Sequence, residues 1–178
     1  MPRPALGKIL YAVEVPPEGG RTFIADMAEV YEALPSGFQQ RIDDRKVIQS
    51  YKHFNRAYSA PTNKVQKLDT QGIAQPMVRT HPLLNRKSLY ICSSMTTRIL
   101  GLSESKSKEI FDKLSKISGQ LKFYYVYDWQ PSDDILWDNA RTMHQRDPFD
   151  AQHRRLIKRT TILVPAELSE PFVLVRNL

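Results

Sequence analysis

The sequence has few of the features that mark secreted and membrane proteins. It contains one cysteine, Cys92, among 178 residues, so no internal disulfide can form, and a lone thiol is typical of the reducing cytoplasm. It has no run of about 18 apolar residues, which a membrane-spanning helix requires. Residues 1–5 lack the apolar stretch of a signal peptide. We therefore expect a cytoplasmic protein with no membrane partner.

The basic charge lacks the pattern of a nucleic-acid-binding protein. The formal net charge is +7, but the basic residues are scattered, with local clusters only at 154–155 and 158–159. No glycine-rich or aromatic-interleaved basic repeat accompanies them. The charge therefore indicates an attraction for small anionic molecules and no nucleic-acid partner.

The pattern of elements predicts one mainly β domain. A chain of this length suits a single domain over residues 1–178. Many strands, two or three helices and no strand–helix alternation favour a jelly roll with helical insertions. Residues 51–75 are polar and lack a sustained period, so we expect a loop that covers a site. The predicted strands are 6–15, 22–25, 77–81, 87–92, 121–129, 135–140 and 155–164.

Three polar residues predict the starts of helices. Asp26, with Glu29 three residues later, forms a capping-box pattern, and Ser36 with Gln39 repeats it. Ser103 is predicted to cap a helix that runs over 103–118.

The most informative residues lie between His144 and Arg159. A neutral imidazole such as His144 is a good iron ligand, and Arg155, eleven residues later, can pair bidentately with a carboxylate. Strand period two places Arg159 on the face of Arg155. Two arginines on an apolar face are costly unless an anion meets them. Spacing alone leaves open that they meet internal carboxylates instead: Asp133, Asp138 or Asp150.

The chain lacks the rest of such a metal site. Non-haem Fe(II) is held by two histidines and one carboxylate, and two of these normally come from a His-x-Asp or His-x-Glu pair. The four histidines precede Phe-Asn, Pro-Leu, Gln-Arg and Arg-Arg, so no such pair exists. By spacing alone, His144 also fits a half-buried structural histidine, Trp137 a core residue and Thr22 an ordinary strand residue.

Three sequence blocks carry a family resemblance. The first is Pro16-Pro-Glu-Gly-Gly-Arg-Thr22 with residues 25–35, and the second is Pro76-Met-Val-Arg-Thr-His-Pro82 with residues 86–91. The third is Trp137-Asp-Asn-Ala-Arg-Thr-Met-His144 with residues 147–162. In this order and spacing they resemble the taurine dioxygenase and 2,4-dichlorophenoxyacetate dioxygenase family. The similarity runs from about residue 4 to residue 164.

The resemblance implies a site and an activity. The implied fold is a double-stranded β-helix, and the implied reaction is Fe(II)- and 2-oxoglutarate-dependent oxidation of a small anionic organic substrate, releasing succinate and CO2. His144 matches the distal iron ligand, and Arg155 and Thr22 match the residues that hold the far carboxylate of 2-oxoglutarate. Arg159 matches a second arginine near the anionic group of the substrate. Trp137 matches an aromatic wall near the metal.

The sequence departs from the family pattern at three places. The family spacing puts the His-x-Asp pair before Met1, Asn85 replaces a glycine, and Arg21 replaces an aspartate. We therefore expect an N-terminally incomplete jelly roll that, alone, binds Fe(II) weakly or not at all and is inactive or nearly so.

Three explanations of the missing pair compete: a fragment or misassigned start, which we favour, a biological truncation, or a part completed by another chain. The alternative function is a non-catalytic binding or interaction protein that retains the scaffold. The substrate's identity and a homo-oligomeric state stay open.

Overall fold

The computed structural model describes residues 5–50 and 72–163. This part of the chain is mainly β, as predicted. Its helices are α1 (Met27–Glu32), α2 (Ser36–Ile42) and α3 (Glu104–Ser118), followed by a 3₁₀ turn, Leu121–Phe123. Its strands are β1 (Ala5–Glu14), β2 (Thr22–Asp26), β3 (Lys46–Gln49), β4 (Ile73–Pro76), β5 (Val78–Thr80), β6 (Lys87–Leu89), β7 (Thr96–Ile99), β8 (Tyr124–Tyr127), β9 (Asp134–Asp138), β10 (Thr142–Arg146) and β11 (Leu156–Leu163).

The strands pair antiparallel throughout the described residues. Two three-stranded sheets carry the residues of interest: β11-β1-β9, which we name the site sheet, and β10-β2-β8, which we name the histidine sheet. A third sheet has the order β4-β3-β7, and β5 pairs with β6. No helix in the described ranges is long and apolar enough to cross a membrane.

The hydrophobic core lies beside the helices rather than on the site sheet. Side chains from the three helices, the 3₁₀ turn and the strands β2, β3, β5, β6 and β7 contribute to one buried cluster, which we name the core cluster. None of its members belongs to β1, β9 or β11. Burial of such apolar surface is the main stabilising term in folding. The members are Ala25, Met27, Val30, Tyr31, Leu34, Phe38, Ile42, Val47, Met77, Val78, Leu89, Ile99, Ile110, Leu114 and Phe123.

The helix starts follow the predicted caps in two of three cases. Asp26 accepts hydrogen bonds from the backbone N–H groups of Ala28 and Glu29, at 2.9 and 3.2 Å. Ser103 caps α3 through the N–H of Lys106. The cap predicted at Ser36 is wrong, because Ser36 is already the first residue of α2 and Pro35 takes the cap position without a side-chain bond.

Several strands were missed or misplaced by sequence reasoning. β3, β7 and β10 had no clear apolar alternation, and β10 is mostly exposed. β4 forms at the end of the predicted loop 51–75, whose residues 51–71 lie outside the described part. The predicted strand 121–129 begins instead as the 3₁₀ turn, which buries Phe123 in the core cluster and exposes Leu121.

A double-glycine turn joins β1 to β2 and fixes the loop after β10. Gly19 and Gly20 both have positive φ, 73° and 68°, a region that L side chains avoid. A Cβ on Gly19 would lie 2.5 Å from the carbonyl oxygen of Pro148. The N–H of Gly20 donates to that same oxygen at 3.3 Å. Glycine is therefore required for the loop at 147–149 to pack against the start of β2.

Candidate active site

The histidine sheet presents His144 and Thr22 on one face. In the antiparallel pairing of β10 with β2, His144 lies opposite Ile24. Residues directly opposite each other share a face, and so do residues two apart on one strand, so Thr22, Ile24 and His144 project together. Ala25 and Met143 project the other way and pack in or against the core cluster. One face of this sheet thus serves the core and the other serves the candidate site.

His144 lies against Trp137 across the two sheets. Their ring centroids are 4.9 Å apart and the rings are inclined by 51°. The indole of Trp137 is buried, and its Nε1 has no hydrogen-bond partner among the described residues. Two residues of the third sequence block therefore lie side by side in the structure.

The surroundings of His144 keep its imidazole neutral. Burial of the ring, and then the charges of Lys8 and Arg159, lower its pKa from the ordinary 6.5 to about 4. More than a third of the residue's surface is nevertheless exposed. The downward direction holds despite this exposure, because both neighbouring cations independently disfavour an imidazolium. A neutral imidazole is the form that binds a metal ion.

Arg155 is held against the double-glycine turn just before β11. Its Nε donates to the carbonyl oxygen of Gly20 at 3.1 Å, and a Cβ on Gly20 would lie 3.2 Å from that nitrogen. Burial, and then the nearby charge of Arg146, lower its pKa, although Asp147 opposes the shift. Its two terminal nitrogens have no hydrogen-bond or ion-pair partner among the described residues. Arg154, by contrast, is exposed and lies 3.3 Å from a carboxylate oxygen of Glu14.

Thr22 is buried and anchored by a residue that sequence reasoning missed. The Nε1 of Trp129 donates to the Thr22 hydroxyl oxygen at 2.9 Å. Trp129 is itself buried, and Tyr127 packs edge-on against it with centroids 5.0 Å apart. An indole N–H can only donate, so the Thr22 hydroxyl keeps its own hydrogen for another acceptor. The only sequence signal for Trp129 was its place at the end of a predicted strand.

The site sheet adds Lys8, which sequence reasoning also missed. Lys8 lies opposite Trp137 on β9 and opposite Thr161 on β11, and Leu10 lies opposite Arg159. Lys8, Trp137 and Arg159 therefore share one sheet face. Burial, and then the charge of Arg159, lower the pKa of Lys8. The sequence signal that could have identified Lys8 is its position on the same face of a predicted strand as two apolar residues.

The three carboxylates considered as internal partners of the arginines are engaged elsewhere. Asp133 accepts from the N–H of Gln130 and Asp150 from that of Gln152, at 2.7 and 2.9 Å. Asp138 accepts from the N–H of Ala140 at 2.8 Å. None pairs with the two arginines, so the internal-pairing interpretation is wrong for these carboxylates.

His81 has a structural role. Its buried Nδ1 accepts from the N–H groups of Leu83 and Leu84 at 3.2 and 3.0 Å. Its Nε2 lies 2.9 Å from Asp138 Oδ2, although the N–H direction is not aligned for a hydrogen bond. His81 thus ties the turn after β5 to the strand that carries Trp137.

Two departures from the family pattern are accommodated locally. Arg21 forms an ion pair with Asp147, with 2.8 Å between Nε and Oδ2, and its carbonyl accepts from the Asp147 N–H. Asn85 has φ 53°, a left-handed conformation that asparagine tolerates better than most residues.

The described residues do not form a complete iron site. No group of three or more histidine, cysteine, aspartate or glutamate side chains that could hold a metal occurs among them. The charges that shift the pKa of His144 belong to the cations Lys8 and Arg159. One imidazole is insufficient for a facial triad. His53 lies outside the described residues.

Comparisons with known proteins agree with the geometry. The family described as "Taurine catabolism dioxygenase TauD, TfdA family" matches residues 1–161. A pentalenolactone F synthase of Streptomyces avermitilis is 30% identical over 95% of this chain and 61% of its own length. An alpha-ketoglutarate-dependent 2,4-dichlorophenoxyacetate dioxygenase of Cupriavidus pinatubonensis is 30% identical over 87% of this chain and 54% of its own length.

Solved structures show the same relationship. The crystal structure of AAD-2 in complex with Mn(II) and N-oxalylglycine superposes with a TM-score of 0.85 at 32% identity, covering 97% of this chain and 67% of that one. This chain spans only 61% of the length of the pentalenolactone F synthase and 54% of the length of the 2,4-dichlorophenoxyacetate dioxygenase. It belongs to the TauD/TfdA family of Fe(II)- and 2-oxoglutarate-dependent dioxygenases, and its strands form part of that family's jelly roll.

Proposed function

We propose that this chain supplies the cosubstrate- and substrate-binding part of an Fe(II)- and 2-oxoglutarate-dependent dioxygenase that oxidises a small anionic organic compound. The observation that carries the proposal is the state of Arg155. Its guanidinium is fixed through Nε to the Gly20 carbonyl, while its terminal nitrogens have no partner in the described residues. A planar fork prepared in this way matches a carboxylate.

Arg155 and Thr22 hold the far carboxylate of 2-oxoglutarate in this proposal. Arg155 donates from its terminal nitrogens, and the Thr22 hydroxyl donates the hydrogen that the Trp129 contact leaves free. The positive-φ turn at Gly20 lets the guanidinium lie close to the backbone without a side chain between them. Binding energy from this remote end orients the reacting end of the cosubstrate.

The other proposed roles lie toward His144. His144 offers a neutral nitrogen as one iron ligand, and iron, when held by a full ligand set, supplies the oxidative chemistry in this family. The described residues provide no second or third ligand, so we derive no reaction step through iron from them. Trp137 packs against the His144 ring and forms an aromatic wall beside it. Arg159 binds the anionic group of the primary substrate.

A second candidate function follows from the single metal ligand. A protein that keeps the anion-binding residues but lacks a complete iron site would bind 2-oxoglutarate-like anions without turning them over. The genomic sequence directly upstream of the first codon separates the candidates. An in-frame segment with a His-x-Asp pair just before it supports the enzyme, and a stop codon there supports the binding protein.

Calorimetric titration of the chain with 2-oxoglutarate, without added metal, tests the cosubstrate role of Arg155. We expect Arg155→Ala to weaken binding by about 30- to 1000-fold, which corresponds to about 2–4 kcal/mol for one charge-assisted pair. Arg154→Ala is the matched control, since it removes the same charge from an exposed neighbour. Equal losses in the two variants, or intact binding in Arg155→Ala, contradict the proposal.

A further inference from the structure

A second cation lies beside Arg159 on the inner face of the site sheet. The strand register places Lys8 between Trp137 and Thr161, and places Arg159 opposite Leu10, two residues farther along β1. Two residues along a strand span roughly 7 Å, so both side chains reach one small ligand group. The shared face follows from pairing alone and needs no assumption about rotamers.

Neither cation is neutralised within the described part of the chain. All seven ion pairs there involve other basic residues, and no hydrogen bond engages the Lys8 ammonium or the Arg159 guanidinium. Lys8 is half-buried, and burial together with the charge of Arg159 lowers its pKa. Arg159 is exposed, so the unfavourable energy falls on the half-buried Lys8, and an anion between the two like charges would relieve it.

A third donor on the same face also lacks an acceptor. The indole of Trp137, directly opposite Lys8, is 6% exposed, and its buried Nε1–H has no hydrogen-bond partner among the described residues. Buried donors are almost always satisfied in folded proteins. An unpaired indole N–H next to two unpaired cations indicates a face arranged for acceptor atoms.

We propose that Lys8 and Arg159 together bind a doubly charged head group of the primary substrate, so that the pocket prefers a dianion such as a phosphonate or phosphate monoester over a monoanion such as a sulfonate. The identification of this molecule as the substrate rests on the proposed dioxygenase function; the binding preference does not. Arg159 contributes to both classes of anion, and Lys8 contributes the discrimination between them.

Two probes of matched shape test the preference. Phenylphosphonate and benzenesulfonate share a ring and a tetrahedral head, and above the second ionisation of the phosphonate they differ by one charge. Titrations of the full chain, without metal or 2-oxoglutarate, give both affinities. We expect the phosphonate to bind at least about tenfold more tightly, the size of one additional charge-assisted contact.

Substitutions assign the preference to Lys8. We expect Lys8→Met to reduce phosphonate affinity about tenfold and to leave sulfonate affinity within about threefold, and Arg159→Met to weaken both about tenfold. Lys158→Met is the matched control, because Lys158 lies opposite Tyr11 on the outer face and carries the same charge. Lys8→Arg is expected to retain the preference, and melting curves confirm that each variant folds.

Several outcomes overturn the proposal. The proposal is wrong if phenylphosphonate and benzenesulfonate bind with equal affinity. It is also wrong if neither compound binds to the chain. An unchanged ratio in Lys8→Met, or the same loss in Lys158→Met, also contradicts it. The proposed function fails by a different result, which is intact 2-oxoglutarate binding in Arg155→Ala, so the two failures are distinguishable.

Discussion

The core cluster and the site sheet use their inward-facing positions for different purposes. In the core cluster, fully buried apolar side chains such as Ile99 and Leu114 pack together. In the site sheet, the inner face presents Lys8 and Arg159 beside Trp137, with no carboxylate partner in the described residues. One region therefore stabilises the fold, and the other keeps a half-buried lysine and an exposed arginine without a protein partner among the described residues.

The outer face of the site sheet sharpens this contrast. Leu136 and Ile162 flank Gly7 there, with side-chain carbons 3.6 and 3.3 Å from where a Cβ on that glycine would lie. Leu136 is 66% exposed and Ile162 39% exposed. The sheet thus leaves apolar surface exposed on its outer face, while its inner face buries Trp137. Substitutions in the site sheet should therefore change ligand affinity more than the free energy of unfolding. Substitutions in the core cluster should change the free energy of unfolding more than ligand affinity.

The largest expected effect concerns catalysis in the site region. We expect the 178-residue chain, loaded anaerobically with Fe(II) and then exposed to oxygen, to form no appreciable succinate from 2-oxoglutarate, because His144 is the only candidate ligand that the described residues supply. Succinate formation is measured by chromatography. The control is a relative with a complete His-x-Asp pair.

Robust turnover that disappears in His144→Ala would contradict this expectation. It would mean that a residue outside the described part, such as His53, completes the iron site.

A substitution in the core cluster tests the stabilising side of the comparison. Leu114 is fully buried in α3, and Leu114→Ala should lower the free energy of unfolding by about 2–5 kcal/mol through lost burial and a residual cavity. Urea unfolding at fixed pH measures the change. Leu121→Ala removes the same atoms from a side chain that is 76% exposed, and should cost less than about 0.5 kcal/mol. Similar costs at both positions would show that the cluster does not carry the stability.

Arg155 tests the binding side. In an enzyme whose iron site is complete, Arg155→Ala should weaken 2-oxoglutarate binding by about 2–4 kcal/mol. Arg155→Lys should weaken it less, since lysine keeps the charge but loses the planar fork. Arg159→Lys should weaken it least, because Arg159 is assigned to the primary substrate. Stability should change little, in contrast with Leu114→Ala. Separate titrations against cosubstrate and substrate distinguish the roles. If Arg159→Ala abolishes 2-oxoglutarate binding while Arg155→Ala leaves it intact, the two assignments must be exchanged.

The same contrast explains what the sequence alone could predict. The strands β1 and β11 and the cap at Asp26 follow from local sequence, and they were predicted correctly, the strands to within one residue at each end. The residues in the family blocks, such as His144, could be selected because their spacing is fixed. The short polar strand β10 was not predictable, since it has no apolar period and is held by its pairing with β2.

Lys8 and Trp129 were missed for a related reason. A period of two tells which residues share a face of one strand, but it does not tell which strand lies alongside. Lys8 becomes a neighbour of Arg159 only through the register of β1 with β11, and Trp129 meets Thr22 across 107 positions of sequence. Contacts set by tertiary pairing carry no local signal.

The smallest expected effect lies at the edge of the core cluster and depends on pH. Asp43 accepts from the Tyr31 hydroxyl at 2.6 Å and lies 2.7 Å from the Lys87 ammonium. Burial raises the pKa of Asp43, but the hydrogen bonds from Lys87 and Tyr31 outweigh it, and the net pKa lies below the ordinary 3.8. A carboxylate with a depressed folded pKa stabilises the fold above its unfolded pKa, and this contribution is lost as the pH falls through the folded pKa.

Asp43→Asn should therefore cost about 1–2 kcal/mol of unfolding free energy at pH 7, the range for a hydrogen-bonded charged group. The difference between the two proteins should shrink as the pH is lowered below about 4 and approach a constant once Asp43 is protonated in both states. Urea unfolding at a series of pH values measures it. Asp44→Asn, at the exposed neighbouring residue, is the matched control and should show little effect at any pH. A cost for Asp43→Asn that stays constant from pH 7 to pH 2 would show that packing, rather than the charge shared with Lys87, holds this edge of the core cluster.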